Sequence, residues 1–149
     1  MSRVGEAGVE FVPLADLTKG KKVALFGLPG AFTRTCSAAH LPSFIRTADQ
    51  LRAKGVDHIL CISVNDPFVM RAWDKDQGAS DAGVELLADG DASLTKAMGL
   101  AFSAPNVGFI DRCLRFSAYV EDGVVKSLNL ETERGVCNFT AGETMLEQL

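Results

Sequence analysis

Two short apolar runs, each followed by helix-periodic sequence, constrain this chain more than any other feature. Lys22–Gly27 (KVALFG) and Val56–Val64 (VDHILCISV) are rich in β-forming residues and are bounded by Gly and Lys-Gly turns. Both are strand-length. A strand–helix–strand–helix order requires parallel neighbours joined by crossover helices, so the first half reads β-α-β-α. The second helix starts at Asn65-Asp66-Pro67, a cap followed by a proline at the first helical position. Phe68, Val69, Ala72 and Trp73 then form one apolar face, suited to core or subunit contact.

The second half changes character. Val84–Ala88 reads as a strand and Ala92–Met98 as a short helix stopped by Gly99. Leu114–Val120 and Val124–Leu130 alternate around Glu121-Asp122-Gly123, a hairpin signal because Asp-Gly tolerates positive φ. Thr140-Ala-Gly-Glu143 fits a capping box and predicts a closing helix. Parallel units first and an antiparallel hairpin with a last helix later is the order of a thioredoxin-like α/β fold, a central mixed β-sheet flanked by helices.

One domain over residues 1–149 is expected, since 47% hydrophobic content can fill a single core and no low-complexity tract divides the chain. Net charge is −4, with basic residues scattered in pairs such as Lys21-Lys22, which argues against nucleic acid as a partner. The longest apolar runs are too short to span a bilayer and Met1-Ser2-Arg3 leads into no signal core, so no membrane partner is expected. The expected compartment is the cytoplasm, or an organelle if a presequence has been removed. Cys36, Cys61, Cys113 and Cys137 match neither a zinc pattern nor a CxxC pair, and free thiols are expected.

Cys36 stands apart from the other thiols. Pro29–His40 reads PGAFTRTCSAAH, a polar turn leading into an alanine-rich helical run with Cys36 in its first turn. Unpaired N–H groups and the helix dipole favour an anion there. Thr33 is placed to offer a hydroxyl to the sulfur and to a substrate, and Pro29 to stiffen the loop. Arg112 and Arg115 are candidates for a charged donor on a flanking strand. A nucleophilic thiolate facing preorganised donors suits a small molecule with adjacent oxygens, a hydroperoxide.

The pattern Pro29-x-x-x-Thr33-x-x-Cys36 with a distant Arg115 resembles the active-site signature of peroxiredoxins, specifically the type II or peroxiredoxin 5 class. KGKKVALFGLPGAFT, CSAAHLP, CISVNDPFVMRAW, LLADGDASLTKAMGL and RFSAYVEDGVVKSLN look like that class in order, over roughly nine-tenths of the chain. The resemblance implies a peroxidatic Cys36, pocket partners Thr33 and Pro29, a thiolate-stabilising Arg115, a thioredoxin fold and a homodimer. It implies a thiol-dependent peroxidase acting on hydrogen peroxide and small alkyl hydroperoxides through a Cys36 sulfenic acid. No metal or other cofactor is implied, and the reductant would be glutathione with glutaredoxin, or thioredoxin. Two departures stand out: Arg34 occupies a position where the class usually has proline, and the sequence before LADLTKGKK is short, so the amino-terminal hairpin is expected to be trimmed or rebuilt.

Further thiols and histidines divide between roles. Related proteins carry a resolving cysteine in the segment of Cys137, two positions later, which leaves an internal Cys36–Cys137 disulfide and an external thiol both open. Cys61 has the spacing of plant-type members and is the other candidate resolving cysteine, but its apolar run reads as a buried strand and favours a structural role. His40 lies four residues after Cys36, where a metal pair is sterically feasible but no third ligand follows, so a hydrogen-bonding support role is expected. Arg112 is either a solvated strand charge or a second support. A peroxide sensor or redox-controlled binding protein would use the same cysteine, whereas a disulfide oxidoreductase is disfavoured by the missing CxxC.

Overall fold

The computed structural model describes all residues, 1–149. Its elements are β1 (Ser2–Gly5), β2 (Gly8–Phe11), α1 (Leu14–Thr18), β3 (Lys22–Gly27), a π-turn (Cys36–His40) running into α2 (Leu41–Ala53), β4 (His58–Ser63), α3 (Pro67–Gln77), β5 (Val84–Ala88), α4 (Ser93–Ala97), β6 (Ala101–Ala104), β7 (Phe109–Cys113), β8 (Phe116–Glu121), β9 (Val124–Leu130) and α5 (Gly142–Gln148).

Seven strands form one sheet in the order β2-β1-β5-β4-β3-β8-β9. The central β3, β4 and β5 are parallel, and β8 and β9 join antiparallel to β3, giving the mixed sheet expected from the order of elements. Each face of the sheet carries its own apolar cluster. Phe26, Phe44, Leu51, Trp73 and Met145 fill one side beneath α2, α3 and α5. Val23, Leu25, Leu60, Ile62 and Leu87 fill the other, covered by Leu14 and Leu17 of α1, Leu94 of α4 and Met98 just after it. Because both faces are covered, β3 and β4 must be apolar on successive residues, which is the pattern that identifies them in the sequence.

Several local expectations change in the folded chain. On α3 the buried face is Met70 and Trp73, while Phe68 is 63% exposed and Ala72 faces outward. Asp66 caps α3 by accepting from the Phe68 and Val69 N–H groups at 2.9 Å each. The capping box of α5 does not form: Ala141 is its cap residue, and the Gly142 N–H donates to Ser43 Oγ of α2 at 2.8 Å. Thr140 instead donates its hydroxyl to Glu131 at 2.8 Å, and Glu143 pairs with Arg46 at 2.7 Å. An amino-terminal hairpin is present, and its β1 strand pairs with β5. The β6–β7 pair, a small separate sheet, has no counterpart in the sequence expectation, because Pro105, Gly108 and a register shift interrupt its alternation. Asp122 (φ 48°) and Gly123 (φ 76°) make the β8–β9 turn as the Asp-Gly signal requires. No helix is long and apolar enough to cross a membrane.

Candidate active site

The loop after β3 delivers Pro29, Thr33 and Cys36 to the carboxyl end of the parallel strands, where α/β sheets place their ligands. Asn65, at the end of β4, fixes that loop from the side. Its Oδ1 accepts from the Ala31 N–H at 3.0 Å and from the Ser63 hydroxyl at 2.6 Å. Arg112 fixes it from the other direction, donating from Nη1 to the Pro29 carbonyl at 3.1 Å while its guanidinium lies over the Phe109 ring. Gly30 permits that approach, since a Cβ there would stand 2.5 Å from Arg112 Nη1. Arg112 therefore braces the loop from β7.

Cys36 opens the π-turn and is only 1% exposed. The Leu41 N–H bonds back five residues to the Cys36 carbonyl, so the turn is one residue wider than an α-helix. Pro42 accounts for the widening: in α geometry its ring would press on the carbonyl four residues before, and it has no N–H to give. Trp73 ties the turn to α3, donating its indole N–H to Ser37 Oγ at 3.0 Å.

Arg115 sits in the two-residue connection between β7 and β8, 6% exposed, with Nη2 3.4 Å from Cys36 Sγ and Nη1 3.1 Å from His40 Nδ1. Guanidinium nitrogens only donate, so Nδ1 of His40 is the acceptor and the ring proton is on Nε2. That proton goes to the Thr140 carbonyl at 3.0 Å. Burial foremost, then the Arg115 charge, holds the His40 pKa down at about 3. The imidazole is thus a neutral support for Arg115, packed beside Phe26 and Phe44 with centroids 5.0 and 5.8 Å away. Phe26 and Phe44 themselves stack at 3.9 Å, which contributes about 1 kcal/mol beyond their burial. No three His, Cys, Asp or Glu side chains converge in a metal-binding arrangement.

Thr33 departs from its expected role toward the sulfur. Its hydroxyl donates to the Gly30 carbonyl at 2.6 Å, which leaves only its lone pairs for a bound molecule. Pro29, Thr33 and Arg115 all line a cavity of about 380 Å³, shared with Phe102, Val107 and Phe109. Arg34 and Arg134 also reach it, and no acidic side chain does. In a chain of net charge −4 this is a local reversal of sign. A second cavity, of about 360 Å³ between β1, α3 and β5, is lined by Arg3, Arg71, Asp74 and Glu85.

The other thiols are placed differently. Cys61 lies fully buried in β4, opposite Phe26 and Leu86, and burial pushes its pKa well up. Cys113 ends β7 and packs in the cluster on the other sheet face, its thiol donating to the Leu114 carbonyl at 3.2 Å with its pKa pushed up to about 12. Cys137 is half-buried in the turn before α5, 3.6 Å from Thr140 Oγ1, and burial raises its pKa too.

The structure brings Cys36, Thr33, Pro29, Arg115 and His40 together, and joins to them Glu131 and Thr140, which the sequence does not point to as part of a site. Glu131 Oε1 accepts the N–H groups of Asn138, Phe139 and Thr140 at 2.7, 2.7 and 3.0 Å. Partners that are backbone groups leave no mark in a sequence. Thr140 does carry a signal, but its cap pattern points to α5.

A buried thiol thus faces an arginine, and a threonine and a proline line the neighbouring cavity. The redoxin family pattern matches residues 6–146. The chain is a peroxiredoxin of that family. This peroxiredoxin is 50% identical over 140 residues to peroxiredoxin-2E-2, chloroplastic, of Oryza sativa subsp. japonica, covering 93% of its own length and 62% of that relative. It is 46% identical to peroxiredoxin-2C of the same plant, covering 97% of itself and 88% of the relative. Among solved structures, reduced Prx3 of Vibrio vulnificus in complex with h2o2 superposes with a TM-score of 0.91 at 45% identity, covering 99% of this chain and 90% of that one. These matches belong to the class that the sequence motifs resemble.

Proposed function

We propose that this peroxiredoxin reduces hydrogen peroxide and small alkyl hydroperoxides through Cys36. The observation that carries the reading is the Arg115 Nη2 to Cys36 Sγ contact of 3.4 Å beside a cavity whose Thr33 hydroxyl has already spent its proton on Gly30. The thiolate attacks the terminal oxygen of the peroxide, an S–O bond forms and the O–O bond breaks. Thr33 accepts the peroxide O–H, and Arg115 donates to the sulfur and to the oxygen on which charge develops. The leaving oxygen takes a proton and departs as water or alcohol, and Cys36 is left as sulfenic acid.

An external thiol closes the cycle, in keeping with the burial of Cys61 and the tethering of the Cys137 turn. It condenses with the sulfenic acid to a mixed disulfide and water, and a second thiol releases Cys36 reduced. Glutathione with glutaredoxin, or thioredoxin, fits that role. The cavity of about 380 Å³ that Thr33 and Arg115 line has room for more than hydrogen peroxide, which supports small organic hydroperoxides as substrates. A homodimer in the cytoplasm completes the reading, supported for the dimer by exposed Phe32 and Phe68 on the two segments that Asn65 joins.

Stopped-flow oxidation with substoichiometric hydrogen peroxide, with sulfenic acid trapping, tests the reading. Fast second-order oxidation in wild type and none in Cys36→Ser is expected. Oxidation that persists in Cys36→Ser overturns it, and oxidation without turnover by any thiol reductant marks a sensor rather than a scavenger.

A further inference from the structure

Arg115 must hold one guanidinium orientation to serve the sulfur, and the structure shows what determines that orientation. Its backbone is fixed by the Glu131 N–H, which donates to the Arg115 carbonyl at 3.2 Å. Its guanidinium is fixed by His40, His40 by the Thr140 carbonyl, and Thr140 by the side chain of the same Glu131. Four donors converge on Glu131 Oε1: three successive N–H groups and the Thr140 hydroxyl at 2.8 Å. Successive N–H groups turned toward one anion form a nest, a strong and directional arrangement. Oε2, buried, has no partner at all. The carboxylate is therefore spent on shaping the turn at 138–140.

We propose that Glu131 is a positioning residue for the peroxidase reaction, acting on Cys36 through the turn at 138–140, His40 and Arg115. The inference rests on the reading of Cys36 and Arg115 given above. Without the Glu131 side chain the Thr140 carbonyl is no longer held against His40 Nε2, the imidazole loses its fixed tautomer, and Nδ1 no longer holds Arg115. The hydrogen bond to Cys36 is then one geometry among several, at the point where transition-state charge needs a donor already in place.

The test is the second-order rate of Cys36 oxidation by hydrogen peroxide in Glu131 variants, alone and combined with Arg115→Ala. Glu131→Ala is expected to lose roughly tenfold or more, a fraction of the about 10²–10³ that outright loss of such a donor costs. Glu131→Gln keeps an oxygen at the length needed to reach the same donors, holds them less firmly with two lone pairs and no charge, and is expected to lie between wild type and the alanine variant. Glu131→Asp keeps the charge but is one methylene short, and is expected to fall near the alanine variant. A purely electrostatic role predicts the reverse order, so Asp faster than Gln overturns the proposal even if the alanine variant fails to fold. In the Arg115→Ala background the Glu131 substitutions are expected to cost little more, because interacting residues are not additive. A full additional loss there, or wild-type rates in Glu131→Asp, overturns it. Wild-type oxidation that is slow or independent of Cys36 would instead defeat the peroxidase reading itself.

Discussion

At the scale of single residues, His40 shows how burial and a fixed partner turn a titratable group into a structural one. In the unfolded chain it takes up a proton near pH 6.5, but in the folded state not until about pH 3. The sign follows directly: between those values the unfolded state binds the additional proton, so stability falls as pH falls. His40 alone should lower stability by about 1.4 kcal/mol per pH unit through that window, and above it the contribution is fully present. Denaturant unfolding of wild type and His40→Gln at pH 7 and pH 5 checks this. The stability difference between the two proteins should shrink or reverse at pH 5, and an unchanged difference would show that His40 protonates equally in both states. His40, Cys36 and Thr33 are legible in the sequence because their spacing of three and four residues puts them on one helical face. The direction of the Thr33 hydroxyl is not, since the competitor for its proton is the Gly30 carbonyl three residues back.

At the scale of elements, the loop and turn carrying Cys36 illustrate what a proline does and what a missing one leaves undone. Pro42 signals a disturbed helix, and the disturbance takes the form of a five-residue π-turn that opens at Cys36. Arg34 stands at the other end. The Ser37 N–H bonds to the Thr33 carbonyl at 3.0 Å, so Thr33 is the cap and Arg34 the first helical residue, and the Arg34 N–H has no backbone acceptor. That is the position where proline fits a helix best, its fixed φ suiting the first turn and its missing N–H costing nothing. Arg34→Pro should therefore raise stability by about 0.4–1 kcal/mol through the unfolded chain, a shift of roughly 1–4 °C in melting temperature for a chain of this size. A calorimetric melting temperature that falls would show that the loop needs the freedom arginine leaves it. Where elements were illegible, as with β6 and β7, the register shift after Phe102 and the proline break the alternation on which strand recognition rests.

At the scale of the whole molecule, the sheet decides which thiol can meet oxidised Cys36. The order of strand-length and helix-periodic segments makes the sheet legible, because parallel strands covered on both faces are apolar throughout. What it leaves hidden is the return of the chain after β9, where Glu131 and Thr140 bring residues about 100 positions apart in sequence into contact with the π-turn. Cys61 lies in β4, paired on both sides along its length, so moving its sulfur to Cys36 would require opening the centre of the sheet. Cys137 is not in the sheet, but its turn is held by four bonds to Glu131 and by the Thr35 hydroxyl, which donates to the Gly135 carbonyl at 2.8 Å. Forming a Cys36–Cys137 bond would therefore give up the contacts that orient Arg115, whereas an external thiol needs only the π-turn to open. Cys61→Ala is expected to keep thiol-supported turnover while losing about 1 kcal/mol of stability to a small cavity. Cys137→Ser is expected to keep at least half of its turnover with glutathione and glutaredoxin, or with thioredoxin. Nonreducing peptide maps of the peroxide-treated wild type should contain no Cys36–Cys61 link. Loss of turnover in Cys137→Ser together with a mapped Cys36–Cys137 disulfide would show instead that the 135–140 turn unfolds in every catalytic cycle, and that the Glu131 clamp is opened and remade each time.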